Sequence, residues 1–293
     1  MRAQNDEAEV ARVLAALSVA EIVDAAGARG APWIARRLVS MLASVPSDRL
    51  GRSLARFDAE LETVGVGVAA HALLRRFGTS VEIDGAVPST GGVLVVTNHP
   101  GAYDSIAMLA AAGRDDVALV AAERTFLAAM PHFREHLVFV ADSREKGSVS
   151  SRAAGLRRAI AWLDAGHVLV QYGAGSIEPD VCFARPGDEV LGVWSDGTGL
   201  LAAQAAKRGA AIVPALVSGV HSRRAKALPG VGWAERRGVT TLAPLIQATL
   251  PGFRDVRVRV RFGTPFEAHA LLAAPTRAAR TALLRAAVAN LAG

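Results

Sequence analysis

Apolar residues in the first part of the chain recur with the period of an α-helix. One such stripe consists of Val10, Val13, Leu14 and Leu17. After Pro32, a second segment sets Trp33, Ile34, Leu38 and Met41 on one side against Arg36 and Arg37 on the other. Ser47 and Asp48 are candidate caps for a further helix that ends near Phe77–Gly78. We therefore predict a helical N-terminal region over residues 1–78, which either packs as a cap on the rest of the chain or faces a membrane.

From residue 79 onwards, short apolar runs of strand length alternate with helical stretches. Strands are predicted at 80–83, 93–97, 117–121, 137–140, 168–172, 211–217 and 256–261. Helices are predicted at 106–112, 149–165 and 199–208, and again from about 276. In the last strand valines alternate with arginines, which indicates an edge strand or one solvent-facing side. The alternation of strands and helices predicts one α/β domain over residues 79–293.

The most informative stretch joins the second of these strands to the helix after it. Val93–Thr97 is followed by Asn98 and His99, then by a Pro-Gly turn, and Asp104 stands where the next helix begins. In open α/β sheets, active sites lie at the carboxyl ends of the strands. If Asp104 folds back onto His99, its carboxylate fixes the imidazole tautomer and His99 becomes a general base. The alternative is a pair of loop polar groups that share a hydrogen bond without chemistry.

Composition and charge narrow the class of partner. The chain has 293 residues, of which 51% are hydrophobic and 5% aromatic, so a sizeable core must consist mainly of Ala, Val and Leu. The formal net charge is +6 and the sequence pI is about 10.3. Because the arginines are scattered and no nucleic-acid-binding motif is present, we expect an anionic membrane or an acidic carrier as the partner, and no nucleic acid.

The cellular compartment is inferred from the cysteine count and from the hydropathy of the chain. Cys182 is the sole cysteine, so the chain has no internal disulfide, and we expect a reducing compartment with this side chain buried. The polar N-terminus does not resemble a secretory signal. No apolar run reaches the roughly 18 to 20 residues that span a bilayer. The expected location is the cytoplasm, with peripheral contact at the inner face of the plasma membrane.

Four blocks of this sequence, in the same order and with similar spacing, resemble the glycerolipid acyltransferase family, in particular its lysophosphatidic acid acyltransferase (PlsC-like) group. The first block, Asn-His followed by four residues and Asp, is Asn98 to Asp104. The second corresponds to Glu123-Arg124 and to the run 139–144, which ends in Arg144. The third is 171–179, and the fourth is the strand 212–215, with its central Pro214. The likeness covers roughly residues 80–265.

The resemblance implies a mixed β-sheet flanked by helices and the transfer of an acyl group from a thioester to a hydroxyl. The donor would be acyl-CoA or acyl-carrier protein, both of them substrates, and no cofactor or metal is implied. His99 would be the base and Asp104 its orienting carboxylate, and backbone amides in the stretch 173–175 could stabilise the oxyanion. The substrate-binding residues that it implies are Asn98, Gly101, Arg124, Arg144, Tyr172, Gly173, Ala174, Gly175, Glu178 and Pro214. Each arginine either binds a phosphate of acceptor or donor or is a solvated surface charge.

The third block departs from the family pattern at two positions. The usual glutamate is replaced by Ala174, and the usual arginine position holds Ile177, while Glu178 lies close by at a shifted position. In the family those two residues help to hold a phosphorylated acceptor. We therefore expect a different hydroxylated acceptor, such as a glycolipid, an amino-acid lipid or a polyketide-like lipid.

Other readings of the sequence compete with this one. His132 to His136 matches H-x-x-E-H, but the strand that follows leaves room for only about one helical turn, too little for a zinc site. Gly197-Thr198-Gly199 mimics a dinucleotide-binding turn without the acidic ribose partner, which favours a closely packed helix start. With the same histidine, a thioester hydrolase is the enzymatic alternative. A lipid-binding protein that keeps the fold without turnover is the non-enzymatic one.

Overall fold

A computed structural model describes residues 2–25, 33–140, 149–185, 188–235 and 242–293. Two compact units are formed. The helical unit comprises Met1–Ser80, Arg124–Arg134 and His221–Val256. The sheet unit comprises Val81–Glu123, Glu135–Val220 and Arg257–Gly293. The predicted region 1–78 falls within the helical unit, which also takes in two later segments.

Helices and strands are numbered here in chain order. The helices are α1 (Arg2–Ala25), α2 (Trp33–Val64), α3 (Val66–Arg76), α4 (Asp104–Ala111), α5 (Thr125–Ala128), α6 (Pro131–Glu135), α7 (Val149–Asp164), α8 (Asp196–Ala206), α9 (Arg223–Lys226), α10 (Pro229–Glu235), α11 (Leu242–Thr249), α12 (Ala268–Ala273) and α13 (Arg277–Asn290). The strands are β1 (Val81–Asp84), β2 (Val93–Thr97), β3 (Val117–Ala122), β4 (Leu137–Val140), β5 (Val168–Tyr172), β6 (Ala211–Ser218) and β7 (Val258–Phe262).

In the helical unit, α2 packs along α1. The two backbones approach closely at Gly51, where a Cβ atom would lie only 2.4 Å from the carbonyl oxygen of Ala11. The expectation that a helix starts at Ser47 is wrong, because α2 continues through Pro46 and Ser47 lies inside it, fully buried. The packing of α2 along α1 offsets the hydrogen bond that Pro46 removes.

The sheet unit contains one mixed sheet whose strand order is β1-β7-β6-β2-β5-β3-β4. The strands from β6 to β4 are parallel neighbours, whereas β7 runs antiparallel to β6 and parallel to β1. This arrangement confirms the predicted α/β fold with a mixed β-sheet flanked by helices. Of the two alternatives predicted for β7, an edge strand or one solvent-facing side, the second is confirmed, because β7 lies between β1 and β6 and alternate residues of it are exposed or part-exposed.

An interior strand can carry exposed arginines because the neighbouring edge strand supplies the opposite charge. Arg259 lies opposite Glu82 in the register and donates to its carboxylate at 2.7 Å. Arg261, opposite Asp84, approaches that carboxylate to 3.3 Å. The valines between the arginines are buried. The alternation of valine and arginine in β7 therefore reflects one buried and one solvent-facing side, and not a position at the edge of the sheet.

The middle of the sheet positions the predicted site. All five residues of β2 are buried, and its side chains point alternately to the two faces of the sheet. Leu94 and Val96 join a core cluster with residues of α7, α8 and α13, and α4 contacts the strands from the opposite face. Since β2 lies between β5 and β6, the residues that follow these three parallel strands emerge at one edge of the sheet.

Pro214 lies inside β6, where a proline would normally cost a ladder hydrogen bond. Its carbonyl accepts from the amide of Gly263, on the side of β7, at 2.8 Å. In a strand, the N–H and C=O groups of one residue point to the same side, so the missing N–H also faces that side. The pairing of β6 with β7 begins only at Ala215, and the ladder to β2 is therefore intact.

Two further expectations concern Cys182 and the membrane. The expected burial of Cys182 is wrong: the thiol is exposed, because the residue lies in the short 3₁₀ turn Val181–Phe183 outside the core. Across the described residues, no helix combines the length and the apolar character that a bilayer crossing requires.

Gly199 in α8 gives a test of how closely this helix packs against α13. A Cβ atom there would lie 2.3 Å from the carbonyl oxygen of Arg277. We expect Gly199→Ala to lower the free energy of unfolding by about 1–3 kcal/mol through overpacking. A Cβ atom at Gly197, in the same helix, would meet only the side-chain oxygen of Ser195, at 3.3 Å. Gly197→Ala should therefore change the free energy of unfolding by less than about 0.5 kcal/mol. Urea unfolding of both variants measures the difference, and equal losses would contradict the packing argument.

Candidate active site

Asn98, the first residue after β2, fastens this strand to β6. Its side-chain amide donates to the carbonyl of Val217 at 2.9 Å and accepts from the amide of Val217 at 2.8 Å. The residue is fully buried. Both ends of the side chain are therefore engaged with the neighbouring strand, which fixes the point from which the His99 turn departs.

The turn between His99 and Asp104 uses left-handed backbone conformations. Gly101 has a φ of 82° and Ala102 a φ of 52°. For Ala102, which carries a Cβ, this conformation costs on the order of 1–2 kcal/mol. Asp104 is the first residue of α4, where it follows the N-cap residue Tyr103 and does not itself cap the helix. Its carboxylate turns back instead and accepts the amide of Gly101 at 2.8 Å.

The structure brings His99 and Asp104 into direct contact. Nδ1 of His99 lies 2.7 Å from Oδ2 of Asp104. The carboxylate is 2% exposed and also accepts from the hydroxyl of Ser105 at 3.1 Å. With a proton on Nδ1, the lone pair is on Nε2, the free nitrogen of a ring that is 26% exposed. Within the described residues, Nε2 has no hydrogen-bond partner.

The charges around His99 make its imidazole more basic. Burial alone would lower the pKa of the ring. The charge and hydrogen bond of Asp104, together with the charge of Glu178, outweigh that effect and raise the pKa above its ordinary value. The imidazolium that forms when the ring accepts a proton is stabilised, and at low pH the ring is already protonated and unable to act as a base.

Tyr172, the last residue of β5, supports the imidazole from the side. The two ring centroids are 4.2 Å apart and the planes are tilted by 31°. The phenolic hydroxyl shares a hydrogen bond with Ser105 at 2.9 Å. Burial and the charge of Asp104 raise the pKa of Tyr172 well above its ordinary value, against the effect of the Ser105 bond, so the phenol is neutral. Sequence reasoning missed Ser105, whose only signal is its place next to Asp104 in the first turn of α4.

The glycine-rich segment after β5 is packed against a tryptophan. A Cβ atom at Gly173 would lie 2.2 Å from the ring of Trp194, so only glycine fits there. The amide of Gly173 donates to the carbonyl of Thr97 at 2.9 Å, and that of Gly175 to Tyr172 at 3.3 Å. Of the three amides expected to serve an oxyanion, these two are engaged, while that of Ala174 donates to none of the described residues.

Glu178 lies against the peptide of His99 and not in an open binding surface. It is 4% exposed. Its carboxylate accepts from the amide of His99 at 2.9 Å, from that of Gly192 at 2.8 Å and from the indole of Trp194 at 3.1 Å. Trp194 was not among the expected site residues, because no local pattern connects it to a segment twenty residues earlier.

Three further residues were predicted to bind substrate: Pro214, Arg124 and Arg144. Pro214 lies within β6, level with Val96 and not at the strand end. Arg124 is the exposed N-cap residue of α5 in the helical unit. Arg144 lies outside the described residues. The roles expected for the two arginines stay predictions.

The H-x-x-E-H pattern does not form the helix that a zinc site would need. α6 ends at Glu135, and Nδ1 of His136 is 2.9 Å from the carbonyl oxygen of Val117. Among the residues that the structure describes, no three His, Cys, Asp or Glu side chains are grouped as metal ligands.

Comparisons with known proteins were made for sequence and for structure. No protein-family model matches this chain, and no curated protein matches its sequence. Among solved structures, the chain is similar to the 1-acyl-sn-glycerophosphate (LPA) acyltransferase PlsC from Thermotoga maritima, with a TM-score of 0.46 and 15% sequence identity. The match covers 83% of this chain and 81% of that one.

A pH titration tests the electrostatics of the His99–Asp104 pair directly. We expect the pKa of His99, followed by NMR, to lie above the ordinary value of about 6.5. Asp104→Asn removes the largest favourable charge, so the pKa of His99 should fall. Circular dichroism of both proteins checks that a change in the His99 pKa does not come from loss of the fold. An unchanged His99 pKa in the variant would contradict the assignment.

Proposed function

We propose that this protein is an O-acyltransferase that moves a fatty acyl group from an acyl-CoA or acyl-carrier-protein thioester to the hydroxyl of a lipid-like acceptor. The observation that carries this proposal is the 2.7 Å contact between His99 Nδ1 and Asp104 Oδ2 at the end of β2. It leaves Nε2 of a part-exposed ring as a base, in the place where α/β sheets hold their active sites.

The proposed reaction needs one base and no covalent enzyme intermediate. Nε2 of His99 takes the proton of the acceptor hydroxyl as its oxygen attacks the thioester carbonyl. Asp104 stabilises the resulting imidazolium. The tetrahedral intermediate collapses, the C–S bond breaks, and the imidazolium returns its proton to the leaving thiolate. The products are an ester and a free thiol.

The oxyanion of the tetrahedral intermediate needs a hydrogen-bond donor of its own. In the segment 173–175 we assign this role to the amide of Ala174, because those of Gly173 and Gly175 already bond to protein carbonyls. A backbone donor is compatible with any side chain at this position.

The proposed acceptor has no phosphate monoester next to its reacting hydroxyl. Asp104 and Glu178, the two charged groups that act on His99 in the described structure, are both negative and would repel a dianionic headgroup. Ile177 is 42% exposed, and its side chain lies 3.5 Å from where a Cβ of Gly101 would be. An apolar surface therefore borders the His99 turn, which favours an uncharged hydroxylated lipid.

The test is product mass spectrometry after incubation of the purified protein with acyl-CoA and a total lipid extract. We expect a new acyl ester, together with free thiol. His99→Ala and Asp104→Asn should each lower the rate about 10²- to 10⁴-fold, the usual contribution of general acid–base catalysis. Circular dichroism of both variants checks that the fold is retained.

Three results would contradict parts of the proposal. Free fatty acid and thiol without a new ester would identify a thioester hydrolase, in which water replaces the alcohol. Lipid binding without any consumption of thioester by the wild type would favour a binding protein. Equal rates with lysophosphatidate and the best acceptor would contradict an uncharged headgroup.

Peripheral contact with an anionic membrane is the second part of the proposal. Trp33, Ile34, Met41 and Val45 of α2 are each more than half exposed. Arg36 and Arg37, on the same helix, are exposed as well. An exposed apolar stripe accompanied by arginines is typical of helices that lie in the interface of an anionic membrane.

Vesicle sedimentation tests the membrane contact. Replacing Trp33 and Ile34 together by Ala should weaken binding to vesicles that contain phosphatidylglycerol by at least about 10-fold, because two large apolar side chains are lost. The control replaces Val64 and Val68, which are similarly exposed outside the stripe. Equal binding by both double variants would contradict the role of α2.

A further inference from the structure

Glu178 holds the peptide of His99 from two sides. The amide of His99 donates to Oε2 of Glu178 at 2.9 Å, and the amide of Glu178 donates to the carbonyl of His99 at 2.7 Å. Oε1 accepts from the amide of Gly192 and from the indole of Trp194. Both carboxylate oxygens are occupied by protein groups, which favours a role in holding the protein over the expected role of substrate ligand.

A buried carboxylate is a costly way to make these bonds. Among the described residues, no Lys or Arg forms an ion pair with Glu178, although the side chain is almost fully buried. Its partners are three N–H donors, from the amides of His99 and Gly192 and the indole of Trp194. A neutral glutamine could accept only through one of its two terminal atoms and would set its NH₂ group against a donor. These donors account for a carboxylate at this position, and its charge also acts on a neighbouring side chain.

The charge faces His99. In the part of the chain that the structure describes, three titratable side chains lie near the imidazole: Asp104 from α4, Tyr172 from β5 and Glu178 from the segment after β5. Tyr172 is neutral, so among the described residues the negative charges that act on the ring are those of Asp104 and Glu178. Asp104 contacts the ring itself, whereas Glu178 contacts the backbone of the residue that carries it.

We propose that Glu178 is a positioning residue for His99, whose carboxylate fixes the peptide that carries the imidazole and places a second negative charge beside the ring. This inference rests on the proposed function. During transfer, the second charge helps to keep the abstracted proton on His99 until the thiolate leaves. Loss of Glu178 changes both the place and the basicity of the ring, whereas loss of a purely structural group changes stability alone.

Asp180 provides a matched control two residues further along. It is equally buried, and its carboxylate accepts the amides of Gly219 and Val220, at the end of β6, at 2.9 and 2.8 Å. Asp180→Asn therefore removes a buried carboxylate, with comparable backbone bonds, from the same segment. The carboxylate also accepts from the amide of Cys182 at 3.2 Å, and none of these three donors belongs to the peptide of His99.

The experiment compares Glu178→Gln with Asp180→Asn by NMR titration of His99, thermal unfolding and the pH profile of kcat/KM. We expect Glu178→Gln to lower the pKa of His99, so that the acid limb of the profile moves to lower pH. The maximal kcat/KM should fall by up to about 100-fold through misplacement of the ring. Asp180→Asn should lower the melting temperature without moving the pKa of His99.

Two outcomes would overturn the proposal: an unchanged His99 pKa in Glu178→Gln, or equal pKa changes in both variants. If Glu178→Gln does not fold, Glu178→Asp keeps the charge on a shorter side chain. In Glu178→Asp the pKa of His99 should stay raised while kcat/KM falls. A return of the His99 pKa to its ordinary value would contradict the proposal. Because the titration needs no turnover, an absence of acyl transfer by the wild type would refute the proposed function and leave the role of Glu178 separately decidable.

Discussion

The carboxylate of Asp104 is removed from water at the start of α4, and an ionised group in that position is tolerated only when donors surround it. Neighbouring backbone and side-chain groups supply those donors. Left-handed conformations at Gly101 and Ala102 turn the amide of Gly101 towards the carboxylate, and His99 and Ser105 provide the others. The orientation of the imidazole is thus a consequence of satisfying one buried charge, and the strain at Ala102 is offset by the same bonds.

Much of the sheet unit was predictable from the sequence because its determinants are local. Short apolar runs between turn residues identify the strands, and the spacing of His99 and Asp104 identifies the turn that joins them. The continuation of α2 through Pro46 was not predictable, since it depends on packing along α1. The interior place of β7 likewise depends on its pairing with β1, a strand about 175 residues earlier in the chain.

The segment after β5 shows the same limit at the site itself. Its glycines suggested backbone amides open to a substrate, but Gly173 is glycine because the ring of Trp194 occupies the space of a side chain. Glu178 seemed to be a displaced ligand, yet it is bonded to His99, Gly192 and Trp194. In each case the partner lies elsewhere in the chain, and the residue type alone does not reveal which group it serves.

Two side chains of the run Glu178-Pro179-Asp180 accept from the amide of the neighbouring Cys182 and from amides of three separate stretches of chain. The distant amides are those of His99, Gly192, Gly219 and Val220. Such amides are released to solvent only when the run itself detaches. Their hydrogen exchange should therefore occur with one common opening free energy, although the residues are far apart in sequence. Disassembly of the site and detachment of this short run are then one cooperative event, and widely different exchange rates among these amides would show that they are not.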